Sequence, residues 1–303
     1  MSAPHVSIVV PTRNGASTLP ALLDAIARQR VGVPFEVVAV DSSSTDGTAG
    51  LLQHRVDRVI PIAADAFDHG LTRNLGIEQA RGELIVLMVQ DAVPASDTWL
   101  AELTQPFGAD GAVAGTFARQ LPQPGASAIS RHYLERWAAS STVARTVGLT
   151  GPDEFAVLDP MARLARCTFD NVCSCIRRSV WVRHPFRSTP IAEDIEWARD
   201  VLLAGHRLAF VPGAAVFHSH DRPARYELAR TYQVHRRLYE LFGVRTIPTL
   251  PLLARAVASS LRLHLRCERS TRAVTLAVAW PLGQYLGAMS AARGWKPSRL
   301  DMV

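Results

Sequence analysis

Short apolar runs alternate with helix-patterned segments through the first ninety residues, and this alternation limits the possible folds more than any other feature. Residues 6–10 form a buried strand that Pro11 is expected to stop. Leu19, Leu22, Leu23 and Ile26 then recur at helical spacing behind Ser17 and Thr18, either of which can cap the helix. A second strand over 35–40 ends at Asp41 in a Ser/Thr/Gly-rich turn. A helix through Leu51 and Leu52, a strand over 56–62, a helix over 72–81 and a continuous apolar strand over 84–89 follow. Strands and helices in this order require parallel crossovers, hence an α/β open sheet covered on both faces.

Beyond Gly115 the pattern loosens. Residues 120–168, with Pro122, Pro124 and Gly125, form a long connection with some helix, where acceptor-facing loops are expected. Strand and turn character returns over 171–181. Trp197, Ala198, Val201 and Leu202 give the helix after Asp194 a buried face, and Gly205 stops it. Residues 208–217, interrupted by Pro212-Gly213, deliver His218 at a strand end. From Tyr226 the chain is helical and rich in arginine. Residues 273–292 carry no charge and are long enough to span a bilayer. Gly283, Gln284, Gly287 and Ser290 favour a packed or interfacial helix instead, and Arg262, Arg266, Arg269, Arg272 and Arg293 would suit an anionic leaflet.

A hydrophobic fraction of 48% over 303 residues belongs to a folded chain with a full core. The net charge of +6 favours partners carrying negative charge. No basic stripe interleaved with aromatics is present, so nucleic acid is not an expected partner. Cys167, Cys173, Cys175 and Cys267 match no zinc spacing and are expected as reduced thiols in a cytoplasmic protein.

Ionisable residues at the carboxyl ends of strands mark the ligand crevice of open α/β sheets. Asp41 and Asp91 stand there, Glu193-Asp194 opens a helix, and His218-Ser219-His220 ends a strand. Asp41 alone could equally cap the loop over 42–45. Arg73 lies early in a helix, where guanidinium and helix N-terminus both favour diphosphate, or where it is simply solvated. A helix start should keep Asp194 ionised.

Residues 6–14 (VSIVVPTRN), 36–47 (EVVAVDSSSTDG), 72–76 (TRNLG), 82–94 and 192–218 together resemble a family 2 inverting glycosyltransferase of GT-A fold. Phe67-Asp68-His69-Gly70 and Gln90-Asp91-Ala92 resemble its rhamnosyltransferase-like branch. The resemblance implies a Rossmann-like open mixed sheet with helices on both faces over 1–222; the residues beyond it, by their own pattern, form a C-terminal helical, membrane-associating region over 223–303. Its nucleotide-sugar half would cover about 1–115 and its acceptor half about 116–222.

By the same resemblance Pro11, Thr12, Arg13 and Asp41 would surround the nucleoside, with His69, Arg73, Gln90 and Asp91 also on the donor. Asp91 and His218 would bind a divalent metal, Mg2+ or Mn2+. Asp194 would be the general base with Glu193 as its support, and His220 and Trp197 are further candidates. Where the family carries Asp-x-Asp this chain has Val89-Gln90-Asp91, which weakens the expected metal site.

The implied reaction transfers a sugar, with L-rhamnose the leading candidate, from a dTDP- or UDP-sugar to a glycan or lipid-linked acceptor. Such an enzyme would work in the cytoplasm, at the inner face of the cell membrane. The alternatives are a catalytically impaired sugar-nucleotide-binding assembly subunit, and a sugar nucleotidyltransferase, which Asn14-Gly15 without a nearby lysine disfavours.

Overall fold

The computed structural model describes residues 5–295. The outer ends of the two expected regions, 1–4 and 296–303, lie outside the described residues. Nine strands form one mixed sheet: β1 (Val6–Thr12), β2 (Phe35–Ser42), β3 (Arg58–Ile62), β4 (Leu84–Met88), β5 (Val93–Pro94), β6 (Val113–Leu121), β7 (Arg145–Val147), β8 (Cys173–Arg177) and β9 (Arg207–Phe217). Their order is β3-β2-β1-β4-β8-β6-β9-β5, with β7 also paired to β9. The first four strands are mutually parallel, as the alternation requires. β8 then runs antiparallel between β4 and β6, and β9 lies parallel to β6.

The helices are α1 (Leu19–Ala27), α2 (Thr48–Gln53), α3 (His69–Gln79), α4 (Trp99–Ala109), α5 (Ala128–Leu134), α6 (Pro152–Val157), α7 (Pro160–Arg166), α8 (Arg178–Trp181) and α9 (Glu193–Leu203). Three longer ones follow: α10 (Ala224–Phe242), α11 (Leu250–Cys267) and α12 (Thr271–Ala292).

Side chains alternate across a strand, and here the alternation sorts the core into two layers. Val6, Ile8 and Val10 of β1 and Leu84, Val86 and Met88 of β4 face the layer holding α1 and α4. Val9, Ile85 and Leu87 face the layer built from Ile77, Trp197, Val201, Leu238 and Phe242. Cys173 and Cys175 are buried on β8, and burial pushes the Cys167 thiol up to about 12.

Two elements differ from the sequence expectation for local reasons. Pro11 does not stop β1: it pairs with Val40 of β2, while the ladder to β4 has already ended at Val9 and Leu87. Helix α3 begins three residues early, because the Asp68 carboxylate accepts from the Gly70 and Leu71 N–H groups at 2.8 Å each. Thr18 is the residue before α1, but its side chain caps nothing.

The uncharged segment 273–292 is α12, packed along α10 and α11. Its small residues permit close helix approach. A Cβ on Gly283 would come within 2.8 Å of the Leu228 carbonyl oxygen, and one on Gly287 within 2.9 Å of the Arg236 N. Among the described residues no helix is long and apolar enough to cross a membrane. Gly287→Ala should therefore lower unfolding stability by about 1–3 kcal/mol through overpacking, despite the better helix propensity of alanine. Gly50→Ala, in open space within α2, should be neutral or stabilising by about 0.5–1 kcal/mol. Urea denaturation of both variants checks this; equal stabilisation by the two would contradict the packing account.

Candidate active site

The loops at the carboxyl ends of β1, β2 and β4 are tied together by side chains. Thr12 donates its hydroxyl to Asp41 Oδ1 at 3.0 Å, and Ser44 donates its hydroxyl there at 2.6 Å. Asp41, buried, thus organises its own loop as well as facing the strand ends. Gln90 accepts from the Arg13 N–H at 2.9 Å and donates to the Arg13 carbonyl at 3.0 Å, pinning the β1 loop. Arg13 is exposed and Pro11 half-buried. Among the described residues the non-glycine positions with positive φ are Asn14, Ser43 and Ala192. Each lies one or two residues from a candidate site residue, where strained backbone tends to collect.

β9 creates the second cluster. It pairs with β6, the His218 N–H donates to Leu121 O at 2.8 Å, and Phe217 lies opposite Val93 of β5. Asp91, two residues before β5, is thereby set against the end of β9. His218 Nε2 lies 3.8 Å from Asp91 Oδ1, and His220 Nε2 lies 3.5 Å from Asp91 Oδ2. One ligand atom from each of the three residues lies within 4.8 Å of the others.

Gln120 Oε1 is 2.9 Å from His218 Nδ1. An amide oxygen only accepts, so Nδ1 carries the proton and the lone pair sits on Nε2, on the Asp91 side. Burial, then the neighbouring His220, push His218 down to about 4 against the pull of Asp91. It is neutral at pH 7 and ready to ligate. Two imidazoles and a carboxylate would suit Mn2+ better than the oxygen-seeking Mg2+, with phosphate oxygens available to complete the shell. His220 would supply the donor that Val89, packed against the core, does not.

A third cluster joins the second through Gln120, whose amide nitrogen donates to Asp170. Asp170 and Asn171 precede β8, and the Asn171 N–H donates to Asp194 Oδ2 at 3.2 Å. Asn171 Nδ2 donates to Glu193 Oε1 at 3.2 Å, and Arg73 pairs with the same oxygen at 3.0 Å. Burial works against ionising Glu193, but Arg73, His69 and Asn171 outweigh it and hold its proton affinity below the usual value. Asp194 is pushed up to about 8, first by burial and then by the charges of Glu193 and Asp170. That reverses the expectation that the helix start keeps it ionised. Asp170 is raised too, mainly by burial.

Two expected contacts sit elsewhere. Arg73 is only 4% exposed and engaged with Glu193 and the His69 carbonyl, so its guanidinium faces Glu193 rather than open solvent. Trp197 is a core residue, packed on Phe169 and Phe186 with its indole N–H donating to His184 O at 2.9 Å. His69 is half-buried at the start of α3, its ring edge-on to Phe67. Sequence reasoning missed Gln120, Asp170 and Asn171, together with Arg222 and Arg230. These two exposed arginines lower the proton affinity of His218 and His220 and form no ion pair among the described residues. A hollow of about 860 Å³ lined by His5, Val33, Glu83 and Arg178 lies at the opposite, amino ends of β1 and β4.

Known proteins share this arrangement of strands. The pattern of glycosyl transferase family 2 matches residues 7–162, more than half of the chain. The chain belongs to glycosyl transferase family 2. The match covers Asp41 and Asp91, while Asp194 and His218 lie beyond it.

This family 2 enzyme is 27% identical over 232 residues to the O-antigen chain rhamnosyltransferase RfbN of Salmonella typhimurium, covering 75% of this chain and 70% of the relative. It is 40% identical over 104 residues to a PGL/p-HBAD biosynthesis glycosyltransferase of Mycobacterium bovis, covering 32% of this chain and 40% of the relative. Among solved structures, the mannosyltransferase PcManGT of Pyrobaculum calidifontis, in complex with GDP-Man and Mn2+, superposes with a TM-score of 0.56 at 18% identity. That likeness covers 99% of this chain and 78% of the other. TarS 1–349 of S. aureus, in complex with UDP-GlcNAc, gives a TM-score of 0.53 at 17% identity, covering 97% and 93%. The fold is GT-A, and the protein is a glycosyltransferase.

The donor geometry generates a binding prediction. Mn2+ added to the protein should lose its free-ion EPR signal with wild type, and Asp91→Ala or His218→Ala should restore it. Gln120→Leu should weaken binding about 10- to 100-fold by releasing the imidazole. Unaltered Mn2+ uptake in all three variants would remove the metal from this cluster.

Proposed function

We propose that this glycosyltransferase inverts the anomeric centre as it moves a sugar from a nucleoside diphosphate to a hydroxyl of a glycan or lipid-linked acceptor, with Asp194 as the base. The observation that carries the proposal is the charge arrangement around Asp194. Ionised Glu193, held by Arg73, sits beside a carboxyl with a proton affinity raised to about 8. A carboxylate of that strength is a better match for a hydroxyl proton than an ordinary one.

In the proposed reaction the Asp194 carboxylate takes the proton of the acceptor hydroxyl. The freed oxygen pair forms the new bond at the anomeric carbon while the bond to the diphosphate breaks on the opposite face. Asp91, His218 and His220 would hold a divalent ion that supplies positive charge against the departing diphosphate. Arg222 and Arg230, exposed and without an ion pair among the described residues, add charge on the same side. Asp41, Thr12 and the loop pinned by Gln90 would take the nucleoside. Half-exposed Trp137, whose indole lies close enough to Asp170 to oppose the rise in its proton affinity, offers an aromatic surface for the acceptor sugar. L-rhamnose from its deoxythymidine diphosphate is the proposed donor, supported by the likeness to RfbN and to WbaN of Salmonella anatum.

Asp194→Asn should reduce transfer by about 10²–10⁴-fold while nucleotide affinity stays near wild type. Wild-type kcat/KM should rise with pH along a one-proton limb toward about 8. Stability should run the other way. An unfolded Asp194 ionises near its ordinary value, whereas the folded one keeps its proton until about 8, so stability falls as pH rises between these values. The asparagine variant should therefore be at least about 1 kcal/mol more stable than wild type at pH 8. Undiminished transfer by Asp194→Asn would move the base to Asp170 or Glu193.

A further inference from the structure

Helix α11 packs on α12 with one face and, among the described residues, exposes the other. Its buried residues are Ser260 and His264. His264 is fixed inward, with Nε2 2.9 Å from the Tyr133 hydroxyl and Nδ1 3.1 Å from the Ala273 carbonyl. Arg255, Arg262 and Arg266, spaced seven and four residues apart, fall on the side of the helix opposite His264. Arg269 follows in the turn to α12, and all four are exposed.

Among the described residues none of the four makes an ion pair; Arg262 Nε donates only to the Ala258 carbonyl of its own helix, at 3.3 Å. Glu268 is the single acid between Leu250 and Ala292, and it is turned toward Ser270 and Arg272. Leu252 and Leu265 flank the arginines and are 44% and 37% exposed. A solvated helix face would ordinarily mix both charge signs and keep its leucines inward. This face is uniformly positive and partly apolar, which is the chemistry of an interfacial helix meeting anionic headgroups.

We propose that the outer face of α11 docks the enzyme on an anionic phospholipid bilayer, the arginines at the headgroups and Leu252 and Leu265 entering the interface. The uncharged segment 273–292 is not the membrane element; it is the packed support beneath. The docking face also ends close to the chemistry. Three residues beyond Arg269, Arg272 pairs at 2.7 Å with Asp221, the residue after His220. A bilayer under α11 therefore lies beside the loop carrying the metal-side histidines, where a lipid-linked acceptor would be presented. That last step rests on the reaction proposed above; the docking itself does not.

The test is sedimentation of the full chain with vesicles of phosphatidylcholine, alone or mixed with phosphatidylglycerol. Binding is expected only with the mixed vesicles and should weaken as salt is added. Changing all four residues together (R255Q, R262Q, R266Q, R269Q) should weaken it by several hundredfold, at roughly fivefold per arginine. Hydrolysis of a soluble nucleotide sugar should be unchanged in that variant. Absence of wild-type binding to the mixed vesicles, or wild-type affinity in the fourfold variant, overturns the proposal. So does an equal loss of hydrolysis and vesicle binding, which would point to a damaged fold. Vesicle binding by a wild type that turns over no nucleotide sugar would sink the reaction and leave the docking intact.

Discussion

The double pairing of β9 is the constraint on which the site depends. One edge of this strand runs along β6 and, at its end, the other meets β5. Phe217 opposite Val93 leaves no freedom in where His218 and Asp91 emerge. Two segments bearing candidate metal ligands, 127 residues apart in sequence, are thus fixed by backbone hydrogen bonds rather than by flexible loops. The side chains are then tuned locally, by Gln120 on the ring of His218 and by Asp170 on Gln120. A site built on strand ends with supporting hydrogen bonds holds its geometry before any ligand arrives.

Electrostatics divides the acids among different tasks. Glu193 and Asp194 are adjacent in sequence, yet one is held ionised and the other protonated near neutrality. Arg73 makes the difference, since its buried guanidinium faces Glu193 alone. Removing water raises the proton affinity of every carboxyl here, so the carboxyl without a cation partner shows the shift. An arginine that the sequence would assign to phosphate acts, in this structure, on the neighbour of the proposed base. The α10–α12 helices contribute as well: Arg272 fixes Asp221 beside His220, and Arg230 projects near both histidines.

Much of the fold was legible because three of the first four strands, β1, β2 and β4, are parallel and buried on both faces. Such strands announce themselves as continuous hydrophobic runs, and the residue after each run is a ligand candidate. Asp41 and Asp91 were found that way. The same rule hides Asp170 and Asn171, which come before β8; antiparallel to its neighbours, β8 presents its amino end at the shared edge. Gln120 stands one residue before the end of a strand whose pattern is broken by register shifts against β9. Burial separates the remaining cases. Trp197 and Arg73 have suitable chemistry but lie under 5% exposed, and one-dimensional spacing does not reveal which turn of a helix faces inward.

On the proposed reading Asp91, His218 and His220 would hold one ion beside the donor diphosphate. Calorimetric titration of the nucleoside diphosphate with and without Mn2+ tests it most directly, because coupling between two ligands at one site is reciprocal and measurable. Mn2+ should tighten nucleotide binding to wild type at least about fivefold, and His218→Ala should abolish that gain while its metal-free affinity is retained. Nucleotide affinity that is indifferent to Mn2+ in both proteins would contradict the account.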